Sequence, residues 1–182
     1  PVLYVFFGMI ATGKSTLAEE WARYKKLEAY NSDRLRKELA GISPEKRERQ
    51  AVDAGIYSRE FSRKTYDALR ARAERALKRG ISVVLDASYQ YGRDRRELRD
   101  LAASLQCRIF FVLCQCPEAE MKRRMQIREQ DPAAISDGRW EIYLEQKKRF
   151  EAPTELGPHE LVIIDTSPSL EVLLGRLAAK LP

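Results

Sequence analysis

Histidine is almost absent from this sequence: His159 is the only one in 182 residues, and cysteine is confined to Cys107, Cys114 and Cys116. An odd, small number of cysteines in a chain of this length does not suggest a disulfide framework. A zinc site is not indicated either, because Cys114 and Cys116 alternate along an apolar segment and His159 lies far from them in the chain. The three read as core cysteines, and a cytoplasmic location is expected. No apolar run approaches the ~20 residues that a membrane-spanning helix requires, so no membrane partner is expected. The first residues already read as a strand, without the basic start and cleavage site of a signal peptide. Repeats, linkers and low-complexity tracts are lacking as well, and one domain over residues 1–182 is the expectation. Acidic residues are outnumbered, 27 against 33 Lys and Arg, for a net charge of +6. That balance suits a polyanionic partner, but a phosphate-handling enzyme is basic too, so charge alone does not separate them.

What the sequence does contain is the octet Gly8-Met9-Ile10-Ala11-Thr12-Gly13-Lys14-Ser15, which has the form G-x-x-x-x-G-K-[ST]. It follows an apolar, strand-like run (2–7) and opens a helix-like stretch. In that setting two glycines let the backbone curl so that successive N–H groups face phosphate oxygens. Lys14 adds charge near the β- and γ-phosphates, Ser15 offers a hydroxyl to Mg²⁺, and the helix N-terminus favours the anion. Residues Gly8 to Ser15 and Thr16 are therefore the expected contacts to ATP.

Apolar runs at 2–7, 27–30, 81–86, 107–114 and 161–165 alternate with helical patterns near 14–26, from Asp33, 58–79, 93–105, 118–130, 137–150 and 168–180. Most of the runs are continuously apolar, as in strands buried on both faces. The order β-α-β-α predicts a three-layer α/β P-loop NTPase fold, with five parallel strands, helices on both faces and a helical lid. Ser58 reads as a helix cap and Gly80 as a helix stop. The polar stretch 41–57 reads as an acceptor-side insertion containing a short helix after Ser43-Pro44.

Three constellations carry chemistry. After the second strand, Asn31 or Ser32 caps a helix, which puts Asp33 in its first turn and Arg36 one turn on. A carboxylate to take a hydroxyl's proton and an arginine to hold an anionic acceptor are what hydroxyl phosphorylation needs. Asp86 ends the third strand, where an acid supports Mg²⁺ or contacts the acceptor; either Asp33 or Asp86 can be the general base. Arg124 and Arg128 share a helical face and lead into Asp131-Pro132, so residues 124–138 read as a lid that closes two arginines over the transferring group. Tyr89 and Tyr91, followed by Arg93, Arg95 and Arg96, could stack on and neutralise a nucleotide, or simply start a basic helix. Trp21, Trp140 and Tyr143 read as core residues, and Asp165–Ser167 as a turn near the base.

Together these residues resemble the P-loop kinase superfamily, in particular polynucleotide 5′-hydroxyl kinases and the small bacterial kinases grouped with them as AAA-type P-loop kinases. The resemblance covers nearly the whole chain. Asn31, Asp33 and Arg36 match the N-R-D-D-Y-R pattern of the phage-type enzymes, which implies a general base at Asp33 and an acceptor-phosphate ligand at Arg36. Asp86 with Arg95-Arg96 resembles that family's strand-end acid and Arg-Arg helix, and Arg124 with Arg128 its R-x-x-x-R lid. Met9, Ile10 and Ala11 depart from the G-x-P-G-S-G-K wording common there, and no phosphatase motif follows. The implied activity is transfer of the γ-phosphate of ATP, with Mg²⁺, to a hydroxyl acceptor such as a nucleic-acid 5′ end or a nucleotide-like molecule. The alternatives are a small-metabolite kinase of sugar, antibiotic or adenylylsulfate type and, in another class, a nucleotide-binding switch. A switch has no need of an acceptor base.

Overall fold

The structure, a computed structural model, describes residues 1–43, 55–130 and 140–182. Five strands form one wholly parallel sheet: β1 (Val2–Phe7), β2 (Glu28–Asn31), β3 (Val83–Asp86), β4 (Arg108–Gln115) and β5 (Leu161–Asp165), in the order β2-β3-β1-β4-β5. Helices α1 (Lys14–Lys25), α2 (Ser32–Leu39), α3 (Arg59–Lys78), α4 (Gly92–Ser104), α5 (Glu118–Gln130), α6 (Trp140–Arg149) and α7 (Leu170–Ala178) connect and cover it. Among the described residues no helix is long and apolar enough to cross a membrane.

Alternation along β1 explains the three layers. Leu3, Val5 and Phe7 point to one face and pack with Leu69, Ala73 and Leu98 of α3 and α4. Tyr4 and Phe6 point to the other and pack with Leu17, Trp21, Leu173 and Leu177 of α1 and α7. Both faces of β1 are sealed, and Leu3 to Phe7 are all buried.

Local signals set the element boundaries. Ser58 Oγ accepts the Phe61 N–H at 3.3 Å and starts α3. Gly80, at φ +75°, ends it by turning the chain into a left-handed conformation open to glycine. Pro117 directly precedes α5, and the cap of α7 is Ser169, one residue beyond Pro168. Of the expected insertion at 41–57, residues 44–54 lie outside the described residues, the short helix after Ser43-Pro44 among them; 55–57 form a 3-10 turn. Of the expected lid at 124–138, residues 124–130 belong to α5 and the remainder lies outside the described residues.

Candidate active site

All five strands run the same way, so the turns that follow them gather at one edge of the sheet. The loop after β1 is cut to fit there. A Cβ on Gly8, at φ +141°, would lie 2.4 Å from the Cys114 carbonyl oxygen; on Gly13, at φ +78°, it would lie 2.8 Å from Arg124 Nη1. Neither position accepts a side chain. Thr12 Oγ1 donates to the Met9 carbonyl at 2.8 Å, and Thr166 Oγ1 donates to the Thr12 carbonyl at 2.5 Å, so the loop is braced from inside and from the turn after β5. The unusual wording of the octet has a packing cause. Ala11 is buried with Met121, Met125 and Tyr143, and Met9, Ile10 and Trp140 pack against that cluster. Lys14, Ser15 and Thr16 start α1 beyond the loop.

Asn31 ties the start of the helix that carries Asp33 to Asp86. Its Oδ1 accepts the Arg34 N–H at 3.0 Å and caps α2, while its Nδ2 donates to Asp86 Oδ2 at 2.5 Å. Asp33 stands half-buried in the first turn of α2. Asp86 is 3% exposed, and its Oδ1 has no hydrogen-bond partner. Burial pushes its carboxyl above the ordinary carboxylate value; the Lys14 charge, the Ser15 hydroxyl and the Asn31 amide pull it back, and the Asp33 charge adds to the rise. Arg128 belongs to the same group. Burial and the neighbouring Arg124 lower its pKa, while Asp33 and Asp86 oppose them, so its guanidinium lies within the field of both carboxylates.

Arg124 differs from expectation. It does not ride on a free segment: Nε donates to Glu120 at 2.8 Å, Nη1 to Thr166 Oγ1 at 3.1 Å and Nη2 to the Thr166 carbonyl at 2.8 Å. This ties it to the turn after β5, over Gly13. In that turn Asp165 accepts from the Ser167 N–H at 2.8 Å and hydroxyl at 2.6 Å.

Beside the loop lies a cavity of about 600 Å³. Arg36, Tyr57, Arg59 and Ser62 line one side, Gln90, Tyr91 and Arg93 another, and Ile142, Glu145, Gln146 and Arg149 of α6 a third. Three of its arginines are already matched by acids: Arg63 by Glu97 at 2.8 Å, Asp67 and Asp94, Arg93 by Asp94 at 3.0 Å, and Arg149 by Glu145 at 3.5 Å. Arg36 is not. It is 6% exposed, donates to the Ile56 carbonyl at 2.8 Å and Ser62 Oγ at 3.0 Å, and lies 5.1 Å over the Tyr57 ring. Its Nε is buried without a partner, and among the described residues no carboxylate pairs with it.

Of the two alternatives for residues 89–96, the structure removes Tyr89 and Arg95 from the nucleotide-stacking one. Tyr89 is 1% exposed and edge-on to Tyr66 at 5.0 Å, in the core rather than on a stacking surface; Tyr91 lines the cavity instead. Arg95 is fully buried and committed to Glu155 at 2.5 Å and to the Tyr89 carbonyl at 2.8 Å, so it is a brace between α4 and the 151–156 loop and not an acceptor ligand. The cavity face of α6 went unread. Its signal was present: Ile142, Glu145, Gln146 and Arg149 recur at i, i+3, i+4 and i+7, but the aromatic residues Trp140 and Tyr143 dominated the pattern.

A parallel sheet led by this loop, with the acids after β2 and β3 beside it, defines the P-loop kinase fold. The chain belongs to the AAA domain family, whose pattern matches residues 3–153. It is similar in fold to three solved proteins. A candidate kinase from Chloroflexus aurantiacus j-10-fl superposes with a TM-score of 0.73 at 18% identity, over 100% of this chain and 99% of that one. Chaetomium thermophilum Kti12, in complex with ADP-AlF3, superposes with a TM-score of 0.69 at 14% identity, over 100% of both chains. A gluconokinase from Sinorhizobium meliloti 1021 does so with a TM-score of 0.65 at 20% identity, over 98% of this chain and 93% of that one. No curated protein sequence matches the chain.

Proposed function

We propose that this chain is an ATP-dependent kinase that phosphorylates a hydroxyl of a small acceptor bearing an anionic group. The observation that carries the acceptor class is Arg36. A guanidinium buried without a counter-charge is costly, and the cost is recovered when an anion arrives to pair with it. The cavity around it is the size of a small molecule. A gluconokinase among the proteins of similar fold agrees with a small acceptor carrying a carboxylate.

The loop amides of residues 9–15 other than Ile10, whose N–H is taken by Gln146, and Lys14 hold the triphosphate, with Thr16 at its α-phosphate. Asp33 accepts the acceptor's hydroxyl proton, the hydroxyl oxygen bonds to the γ-phosphorus, and the bond to the β–γ bridging oxygen breaks to release ADP. Arg128, in the field of Asp33 and Asp86, offsets the charge on the transferring group. Arg124, fixed to Thr166 over Gly13, acts from the donor side. The unpartnered Asp86 Oδ1 and the Ser15 hydroxyl are hard oxygen donors of the type Mg²⁺ takes, and that ion would supply charge neutralisation on the β- and γ-phosphates. A second acceptor, a nucleic-acid 5′ end, draws support from Tyr91 and Arg93 on the cavity wall.

Labelled ATP incubated with sugar acids, sugar phosphates, adenylylsulfate, aminoglycosides, nucleosides and 5′-hydroxyl oligonucleotides separates these readings. Transfer to a small anionic alcohol is expected. Asp33→Asn should lower that transfer by about 10²–10⁴-fold with ATP binding retained. Arg36→Met should raise the acceptor KM, at a cost of about 2–5 kcal/mol for the broken charge pair. Transfer to neutral alcohols alone would sink the anionic class. Transfer to oligonucleotides alone would select the 5′-end reading. ATP binding with no transfer, and hydrolysis indifferent to Asp33→Asn, would leave a nucleotide switch.

A further inference from the structure

One side chain touches both the glycine-rich loop and the cavity. Gln146 Oε1 accepts the Ile10 N–H at 2.8 Å, and Gln146 also lines the cavity beside Ile142, Glu145 and Arg149. A backbone N–H can only donate, so the carboxamide has one orientation: oxygen on the loop, Nε2 turned away from it. Among the described residues Nε2 has no hydrogen-bond partner. The helix that carries it is fixed at both ends. Tyr143 Oη and Lys147 Nζ donate to Glu118 at 3.0 and 2.9 Å, and the Phe150 ring just beyond α6 stacks on Phe7 with centroids 6.3 Å apart.

We infer that Gln146 Nε2 donates a hydrogen bond to the phosphoryl group as it leaves the loop for the acceptor. The inference rests on the kinase reading above. The group in flight carries its charge on equatorial oxygens, and catalysis of its transfer is mostly positioning and electrostatic stabilisation. A neutral donor aimed in advance by a backbone bond stabilises that charge without reorganising. Gln146 binds Ile10 of the loop and lines the cavity, so its carboxamide sits where the donor and acceptor halves of the site join. Gln146 would thus belong to the reaction even though α6 looks from its sequence like packing.

The test compares Gln146→Glu and Gln146→Met in the full chain. Glutamate keeps an oxygen for the Ile10 N–H but has no N–H to give; methionine loses both. Binding of fluorescent ADP with Mg²⁺ is titrated with and without aluminium fluoride, which stands in for the planar phosphoryl group. Thermal midpoints serve as the folding control. In the wild-type protein, aluminium fluoride tightens ADP binding. Both variants should lose at least about tenfold of that gain, the lower bound of what one oxyanion donor contributes being about 10²-fold in rate. Gln146→Glu should keep its affinity for ADP alone. If Gln146→Glu gains as much from aluminium fluoride as the wild-type protein does, the inference is overturned and Gln146 only braces Ile10. If Gln146→Met keeps the gain and Gln146→Glu loses it, charge repulsion is the cause and donation is again excluded. A wild-type protein indifferent to aluminium fluoride would overturn the kinase reading, and this inference with it.

Discussion

Asp86 shows how a single residue can be poorly placed for stability and well placed for chemistry. It is buried with one oxygen held by Asn31 and the other free. Because burial outweighs the help from Lys14, Ser15 and Asn31, its carboxyl is more basic in the folded chain than its ordinary value of 3.8. The native state then binds the proton better than the unfolded chain does. Stability falls as pH rises from about 4 through the raised folded value, and the loss is complete above it. Asp86→Asn keeps the shape and removes the charge. The ligand-free variant should melt about 2–4 °C higher than the wild-type protein at pH 7, the worth of about 1 kcal/mol in a chain of this size. Thermal melts across pH check the sign: the gap should close below pH 4. A variant that melts lower than the wild-type protein at pH 7 would show that the carboxylate is stabilising in the absence of nucleotide. The same residue-scale logic applies to Arg36, whose uncompensated charge is visible only in the structure. From the sequence, Asp33 and Arg36 could be paired with the site by their spacing after β2, but nothing in the chain of letters says that Arg36 lacks an acid while Arg63 has three.

Among the elements, α5 and α6 grip the loop through a small apolar cluster. Tyr143 is 2% exposed and packs with Ala11, Met121 and Met125, and Ala11 itself holds a left-handed φ of +59°. Tyr143→Ala should cost about 3–5 kcal/mol for the lost ring and its cavity. It should also weaken ADP binding below the melting temperature, since Ala11 loses the surface that holds its conformation. Calorimetry with ADP separates the two effects; an unchanged ADP affinity would mean that the loop shapes itself without α6. Strands and helices were legible because their signals are local. Continuous apolar runs marked the buried strands, and Ser58 and Gly80 bounded α3. What stayed hidden depends on partners far along the chain. Arg95 stayed open between a nucleotide ligand and a basic helix start because its counter-ion, Glu155, is 60 positions away. Tyr89 stayed open as a stacking platform because only the folded chain puts Tyr66 against it. Arg124 read as mobile because its hold on Thr166 spans 42 positions.

At the scale of the molecule, the parallel topology puts every proposed phosphate contact on one edge of the sheet while both faces of β1 are committed to packing. The loop after β1, Asp33 after β2 and Asp86 at the end of β3 come from three adjacent strands, so a bound nucleotide would tie them together. Binding to the folded chain alone then stabilises the whole. With the non-hydrolysable ATP analogue AMP-PNP at about 100 times its Kd, the gain is about 2.7 kcal/mol, or about 5–11 °C in a chain of this length. Read as one domain, the chain should show this as the shift of a single transition. Removing Mg²⁺ with EDTA should shrink the shift in the wild-type protein if, as proposed, Ser15 and Asp86 would hold the ion. In Asp86→Asn the shift should already be small and should barely respond to EDTA. The contrast is what matters: an EDTA effect of equal size in both proteins would place the metal on the nucleotide alone and leave the free oxygen of Asp86 to the acceptor.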